Sequence, residues 1–242
     1  MEENKMSKKT YELTEELTKL GYKKNKEGDI VSPVITTGKM VMYFGDVLTP
    51  YQYNEAQNPR YAITQVIESE AELKRLEDIV ETLSKIRFGD VEKDINYSTP
   101  IKLVDDKFIE AKKTPETWID LKGKKVLRSH RADVTKSGKV IGRPNVLVYQ
   151  GKGQPVVKIK EDAEIESYIY RGANISTSLT FATYKNGKEW GVTAYLNNVL
   201  FISHGEKLGG LGGAEFNNLD FGDVEDAGFN PAEDDIDLGV NV

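Results

Sequence analysis

Two histidines, His130 and His204, and no cysteine leave this chain little with which to do metal or nucleophilic chemistry. Disulfides, thiolate metal sites and cysteine nucleophiles are excluded. A zinc enzyme or a Ser-His-Asp hydrolase has almost nothing to work with. Asp105-Asp106 and Asp234-Asp235 are the obvious carboxylate pairs for magnesium. The first sits among Lys102 and Lys107 in a polar stretch, and the second in an acidic terminus that offers no rigid coordination sphere. No G-x-x-x-x-G-K-[ST] loop exists, and the densest glycine run, Gly209 to Gly213, precedes no helical pattern. No catalytic residue, metal ligand or cofactor site is therefore expected.

What the chain does offer is cations interleaved with aromatics. Lys39 and Tyr43 read as one strand face, and Arg60-Tyr61 opens the next strand. Arg128 and Arg131, then Lys158, then Tyr168, Tyr170 and Arg171 follow. Single-stranded nucleic acid needs this mixture: cations track phosphates, and aromatic faces stack on bases without regard to their identity. Those ten residues are the candidate binding groups. For any one tyrosine the competing reading is a half-buried sheet residue, because tyrosine favours strands.

The charge is divided. The 242 residues carry a net charge of −6. Nine acids and no Lys or Arg lie between Ala214 and Val242, which leaves residues 1–213 with 33 basic and 30 acidic groups, about +3. A mildly basic body with an acidic terminus hints at nucleic-acid interaction. Phe216, Phe221, Phe229, Ile236, Leu238 and Val240 are interleaved with the acids. Apolar side chains serve a docking peptide and not a solubilising one. Asp234, Asp235, Ile236, Asp237 and Leu238 are the candidate docking residues. Residues 1–213 read as the folded domain and 214–242 as a mobile, disordered tail beyond a glycine joint. No run of 18 apolar residues exists, and the start MEENKMSKKT lacks an apolar h-region, so neither a membrane helix nor a secretory signal is expected.

Periodicity places these groups. Leu13, Leu17 and Leu20 predict a short helix over 10–20, with Thr10 as N-cap and Gly21 as stop. Alternation predicts strands over 34–44 and 60–67, joined by a loop over 45–59. Ser69 and Glu72 form a capping box before a helix over 70–87, with Leu73, Leu76, Ile79, Val80, Leu83 and Ile86 as its apolar stripe. Residues 88–125 read as a polar, irregular insertion containing Trp118. Strands are then predicted over 126–131, 145–150, 155–160, 165–171, 174–184 and 189–203. Asn186-Gly187 marks a hairpin, and Asn197-Asn198 shifts the alternation as a bulge would. The whole reads as mainly β with one or two helices: a small barrel of the oligonucleotide-binding type, with a large insertion.

Three stretches carry a family likeness. The first runs from Tyr43-Phe44 to Asn58-Pro59-Arg60-Tyr61, a strand, and the helix from Ser69. The second is Tyr170-Arg171-Gly172 leading into 174–184. The third is Gly191-Val192-Thr193-Ala194-Tyr195-Leu196-Asn197-Asn198-Val199, followed by Gly205-Glu206-Lys207-Leu208-Gly209-Gly210. The chain resembles the single-stranded DNA-binding proteins of tailed bacteriophages, over roughly 34–87 and 140–213. The resemblance implies a non-catalytic coat for single-stranded DNA in phage replication and recombination, in the cytoplasm of the infected host. It implies a tail that docks partners such as the polymerase and primase-helicase and competes with DNA for the groove. Such tails often end in an aromatic residue, whereas this chain ends Asp237-Leu238-Gly239-Val240-Asn241-Val242. The alternatives are a structural or adaptor barrel that binds proteins, and a mediator that anneals strands. Homo-oligomerisation and RNA binding are left open.

Overall fold

The computed structural model describes residues 12–52, 58–135 and 138–208. Thr10 and the stretch 209–242 lie outside the described residues, and with them the candidate docking residues Asp234, Asp235, Ile236, Asp237 and Leu238.

Five long strands pair in a ring. They are β3 (Met40–Tyr51), β4 (Arg60–Ile67), β7 (Lys125–Ala132), β10 (Asn174–Asn186) and β11 (Glu189–Ser203). The pairings β10–β3, β3–β4, β4–β7 and β10–β11 are antiparallel, and β7–β11 is parallel. A closed five-stranded ring with one parallel contact is the expected oligonucleotide-binding barrel. Short strands extend it: β1 (Lys23–Lys24) and β2 (Ile30–Thr36) beside β10, β5 (Tyr97–Ser98) beside β11, β6 (Ile101–Leu103) beside β7, and β8 (Asn145–Val148) with β9 (Val157–Ile159) beyond β11.

Alternation sends Met42, Ile63, Leu127, Ile175, Leu179, Phe181, Ala194, Leu196 and Val199 into the barrel. α2 (Glu70–Phe88) packs Leu76, Val80 and Leu83 onto this core, and α4 (Asp162–Tyr168) adds Ile165. Ser69 caps α2 as expected, its Oγ accepting from Glu72 N at 3.3 Å. The reciprocal half of the box is not made: the Glu72 carboxylate instead accepts from Gly38 N at 2.8 Å and from Arg75.

The hairpin joining β10 to β11 has Asn186 opposite Glu189, so its two-residue turn is Gly187-Lys188. The bulge is where the sequence places it: Ser178 faces Asn198 while Leu179 faces Leu196, which leaves Asn197 extra. Gly45 has φ +116, and a Cβ there would lie 2.0 Å from the carbonyl oxygen of Ala62. That close approach lets β3 bend tightly across β4.

Four expectations are corrected. The strand predicted over 165–171 is α4 and a turn: Ile169 N bonds Ile165 O, and acids Asp162 and Glu164 favour a helix N-terminus. The strand predicted over 34–44 is the end of β2 and the start of β3, broken near Lys39, and β3 runs on to Tyr51 through the predicted loop. The first helix, α1, is shorter, Glu15–Lys19, and Thr14 caps it through Leu17 N. The insertion is not irregular. It carries β5, β6, α3 (Asp106–Glu110) and a 3-10 helix (Pro115–Leu121). Trp118, Leu121, Val104 and Ile109 pack with Phe44, Ala62, Val66 and Val126 in a second core on the outside of the barrel.

Candidate nucleic-acid interface

β4 and β7 pair without interruption from Arg60↔Ala132 to Ile67↔Lys125. Residues opposite each other in such a ladder share a face. The inward face carries Tyr61, Ile63 and Gln65 with Arg131, Ser129 and Leu127. The outward face carries Arg60, Ala62 and Thr64 with Ala132, His130 and Arg128. In barrels of this type the outer face of the second and third ring strands, here β4 and β7, is where oligonucleotides lie.

The outward face is cationic. Arg60 stands level with Ala132, four residues from Arg128, so the two guanidinium-bearing positions are about 13 Å apart along the strand. His130 lies between them and is 5% exposed. Burial, Arg60 and Arg128 together hold His130 well below the ordinary histidine range, so the ring is neutral at pH 7. Tyr195 of β11 pairs with His130 in the parallel ladder, and the ring centroids are 5.2 Å apart.

A second cation–ring group flanks this face on the β3 side. The Arg171 guanidinium lies 4.3 Å from the centroid of Tyr43 and 5.2 Å from that of Phe44. Phe44 faces Thr64 on β4, and Phe44 and Trp118 are in ring contact at 4.4 Å. Tyr43 Oη donates to Asp120 at 3.5 Å. Burial raises the Tyr43 hydroxyl, and Arg171 opposes that shift. The insertion thus walls the outer face, and its Trp118 and Asp120 contact the two rings over which Arg171 sits.

Of the ten candidate residues, the structure brings Arg60 and Arg128 onto the outward face and Tyr43 and Arg171 beside it; Arg60 and Tyr43 are buried, 8% and 5% exposed, and Arg128 and Arg171 are half-buried. Tyr61 and Arg131 face inward. Tyr61 Oη donates to Asp133 at 3.1 Å and its pKa is pushed up to about 12, by burial first and Asp133 second. Arg131 Nε donates to Gly142 O at 2.8 Å. Lys39 sits in the connector between β2 and β3, and Lys158 on β9 is two strands beyond β11. Tyr168 and Tyr170 lie on the end of α4 and the turn after it. They pack on the barrel core and stack with His204, whose Nδ1 is 3.0 Å from Tyr170 Oη. Their placement follows from the α4 correction: residues two apart share a face only in a strand.

The sequence analysis does not include His130, Tyr195 or Lys102 among the binding groups. The two-residue offset of His130 from Arg128 puts both on one strand face, a signal present in the sequence. Tyr195 follows inward-facing Ala194, which was a usable signal. Lys102 lay in the stretch read as irregular.

Residues 33–229 match the family described as Enterobacter phage Enc34, ssDNA-binding protein. That match covers most of the chain and runs past the Gly213 boundary into the acidic stretch. The fold and the match together define a phage single-stranded DNA-binding protein of barrel type. The chain belongs to the Enc34 single-stranded DNA-binding protein family. Among solved structures, a C-terminally truncated single-stranded DNA-binding protein from bacteriophage Enc34 is 20% identical, with a TM-score of 0.51, over 76% of this chain and 90% of that one. The Enc34 protein in complex with ssDNA is 18% identical, TM-score 0.49, over 84% and 100%. The gp2.5 protein of bacteriophage T7 is 12% identical, TM-score 0.48, over 72% and 93%. The similarity is one of fold. No curated protein matches.

Proposed function

We propose that this protein binds single-stranded DNA along the outer face of β4 and β7, without catalysis, as a coat for phage DNA in replication and recombination. The observation that carries the reading is the placement of Arg60 and Arg128 on one outward face of an oligonucleotide-binding barrel, with neutral His130 between them and Tyr195 beside it. Guanidinium groups spaced along a strand suit successive phosphates. The rings of His130 and Tyr195, each 5% exposed, pack against one another. Arg171 over Tyr43 adds a cation and a ring on the β3 side. Membership of the Enc34 family supports the same ligand. No helix among the described residues is long and apolar enough to cross a membrane, which is compatible with work in the host cytoplasm.

The acidic segment is assigned two tasks under this reading. It weakens DNA binding in cis as a tethered polyanion, and its residues Asp234 to Leu238 dock replication proteins such as the polymerase and primase-helicase. Residues 1–213 form the binding domain.

The test is a titration of labelled oligo-dT at two salt concentrations, with a duplex of equal length as control. Tight, salt-sensitive binding to the single strand alone is expected. Equal affinity for both forms, or none for either, refutes the interface.

A further inference from the structure

The insertion shares a second core with the outside of the barrel. One of its strands carries a cation in an unusual setting. Lys102 of β6 pairs with Val126 of β7, which places it on the same outward face as Arg128. Its Nζ donates to Ser98 Oγ of β5 at 3.2 Å. Lys102 is largely buried, and the two influences on its charge, burial first and Arg128 second, both disfavour it. From β11 the neighbour of Ser98 is uncharged Gly191. The ion pair Lys125–Glu77 lies at 2.7 Å on the opposite face. No carboxylate among the described residues pairs with Lys102.

Half-sinking an ammonium beside a guanidinium costs folding free energy, and an anion placed between them removes that cost. A phosphate already held by Arg128 is such an anion. We propose that Lys102 is a phosphate-binding residue of the single-strand path, and that the insertion serves the interface by delivering it through β6 at the end of the line Arg60, Arg128, Lys102. The assignment rests on the interface reading above.

The setting makes the contact titratable. Burial and Arg128 bring Lys102 down to about 8, and a bound phosphate returns it toward the ordinary lysine value. DNA binding then takes up a proton, so affinity falls as pH rises. His130 is held too low, and Tyr61 too high, to titrate in that window. An α-amino group does titrate there, and Lys102→Arg leaves it in place.

The experiment measures affinity of the full chain for labelled oligo-dA from pH 7 to 9 at constant ionic strength. It compares wild type, Lys102→Arg and Lys102→Met, and repeats the titration at several salt concentrations. Wild-type affinity is expected to fall about tenfold over that range. Lys102→Arg is expected to bind with no such fall. Lys102→Met is expected to bind weakly and flatly, with a log-affinity against log-salt slope shallower by about 0.7. Circular dichroism melting confirms that each variant is folded. Binding by all three with one common pH profile and salt slope would overturn the assignment. Absence of binding by the wild type at any pH would instead overturn the interface reading, and this one with it.

Discussion

Arg60 and Arg128 make the most direct claim at the scale of single residues, because a phosphate contact leaves a signature that packing does not. Arg60→Ala and Arg128→Ala should each weaken single-strand binding and make the salt slope shallower by about 0.7. A variant with weaker binding but an unchanged slope would show that the side chain only shapes the surface. Lys102 makes a second claim, about stability. Its folded pKa of about 8 is depressed below the ordinary lysine value. The unfolded chain therefore binds more protons between about pH 8 and the ordinary lysine value, and stability rises with pH through that window. Below it the cost is fully present. Lys102→Met should accordingly stabilise the fold at pH 7 by about 3 kcal/mol, and the gain should vanish near pH 11. Urea denaturation at the two pH values checks this.

At the scale of elements, the ring is held by close backbone approaches as much as by side chains. Gly45 is the clearest. Its φ of +116 and the 2.0 Å separation of a built Cβ from Ala62 O leave no room for a side chain. Gly45→Ala should push β3 off β4 and cost about 3 kcal/mol or more, read from a denaturation midpoint. Much at this scale was legible beforehand. The alternating runs at 60–67, 174–184 and 189–203 fall within strands, the apolar stripe at 70–87 is α2, and Asn197 is the bulge. Two adjacent features were not. Tyr168 and Tyr170 alternate with Ser167 and Ile169 in a pattern that also fits a short helix and turn, and seven residues cannot distinguish the two periods. The insertion looked irregular because its elements are two to seven residues long and its apolar groups are spread thinly. Their destinations, the β11 edge for β5, the β7 edge for β6 and the outside of β3, β4 and β7 for the two short helices, are invisible until the barrel is closed.

At the scale of the whole molecule, the proposed competition between the acidic segment and DNA rests on the division of charge. Residues 1–213 carry about +3, and the nine acids that follow carry no compensating cation. A tethered polyanion competes with DNA at high effective concentration. Deleting 214–242 should tighten single-strand binding, most strongly at low salt, where charge is least screened. Fluorescence titration of the full-length and shortened chains reads this directly. Equal affinity at every salt concentration would end the competition argument while leaving the interface intact.

Composition and short-range pattern determined a great deal without coordinates. The absence of cysteine and the lack of a phosphate loop removed thiol, thiolate-metal and phosphate-loop chemistry. Strand alternation, one long amphipathic helix and the interleaving of cations with tyrosines pointed to a barrel that holds a single strand. These are local properties, set by neighbours within a few residues. The tertiary structure decided which cations share a face. Arg128 and Arg131 are three apart on one strand, so the pleat sends them to opposite faces, and only the closed ring says which face is outside. Lys102 and Arg128 meet across a ladder between an insertion and the barrel, with 25 residues between them. Long-range pairing is a property of the closed fold, and it alone turned a scattered list of charges into one surface.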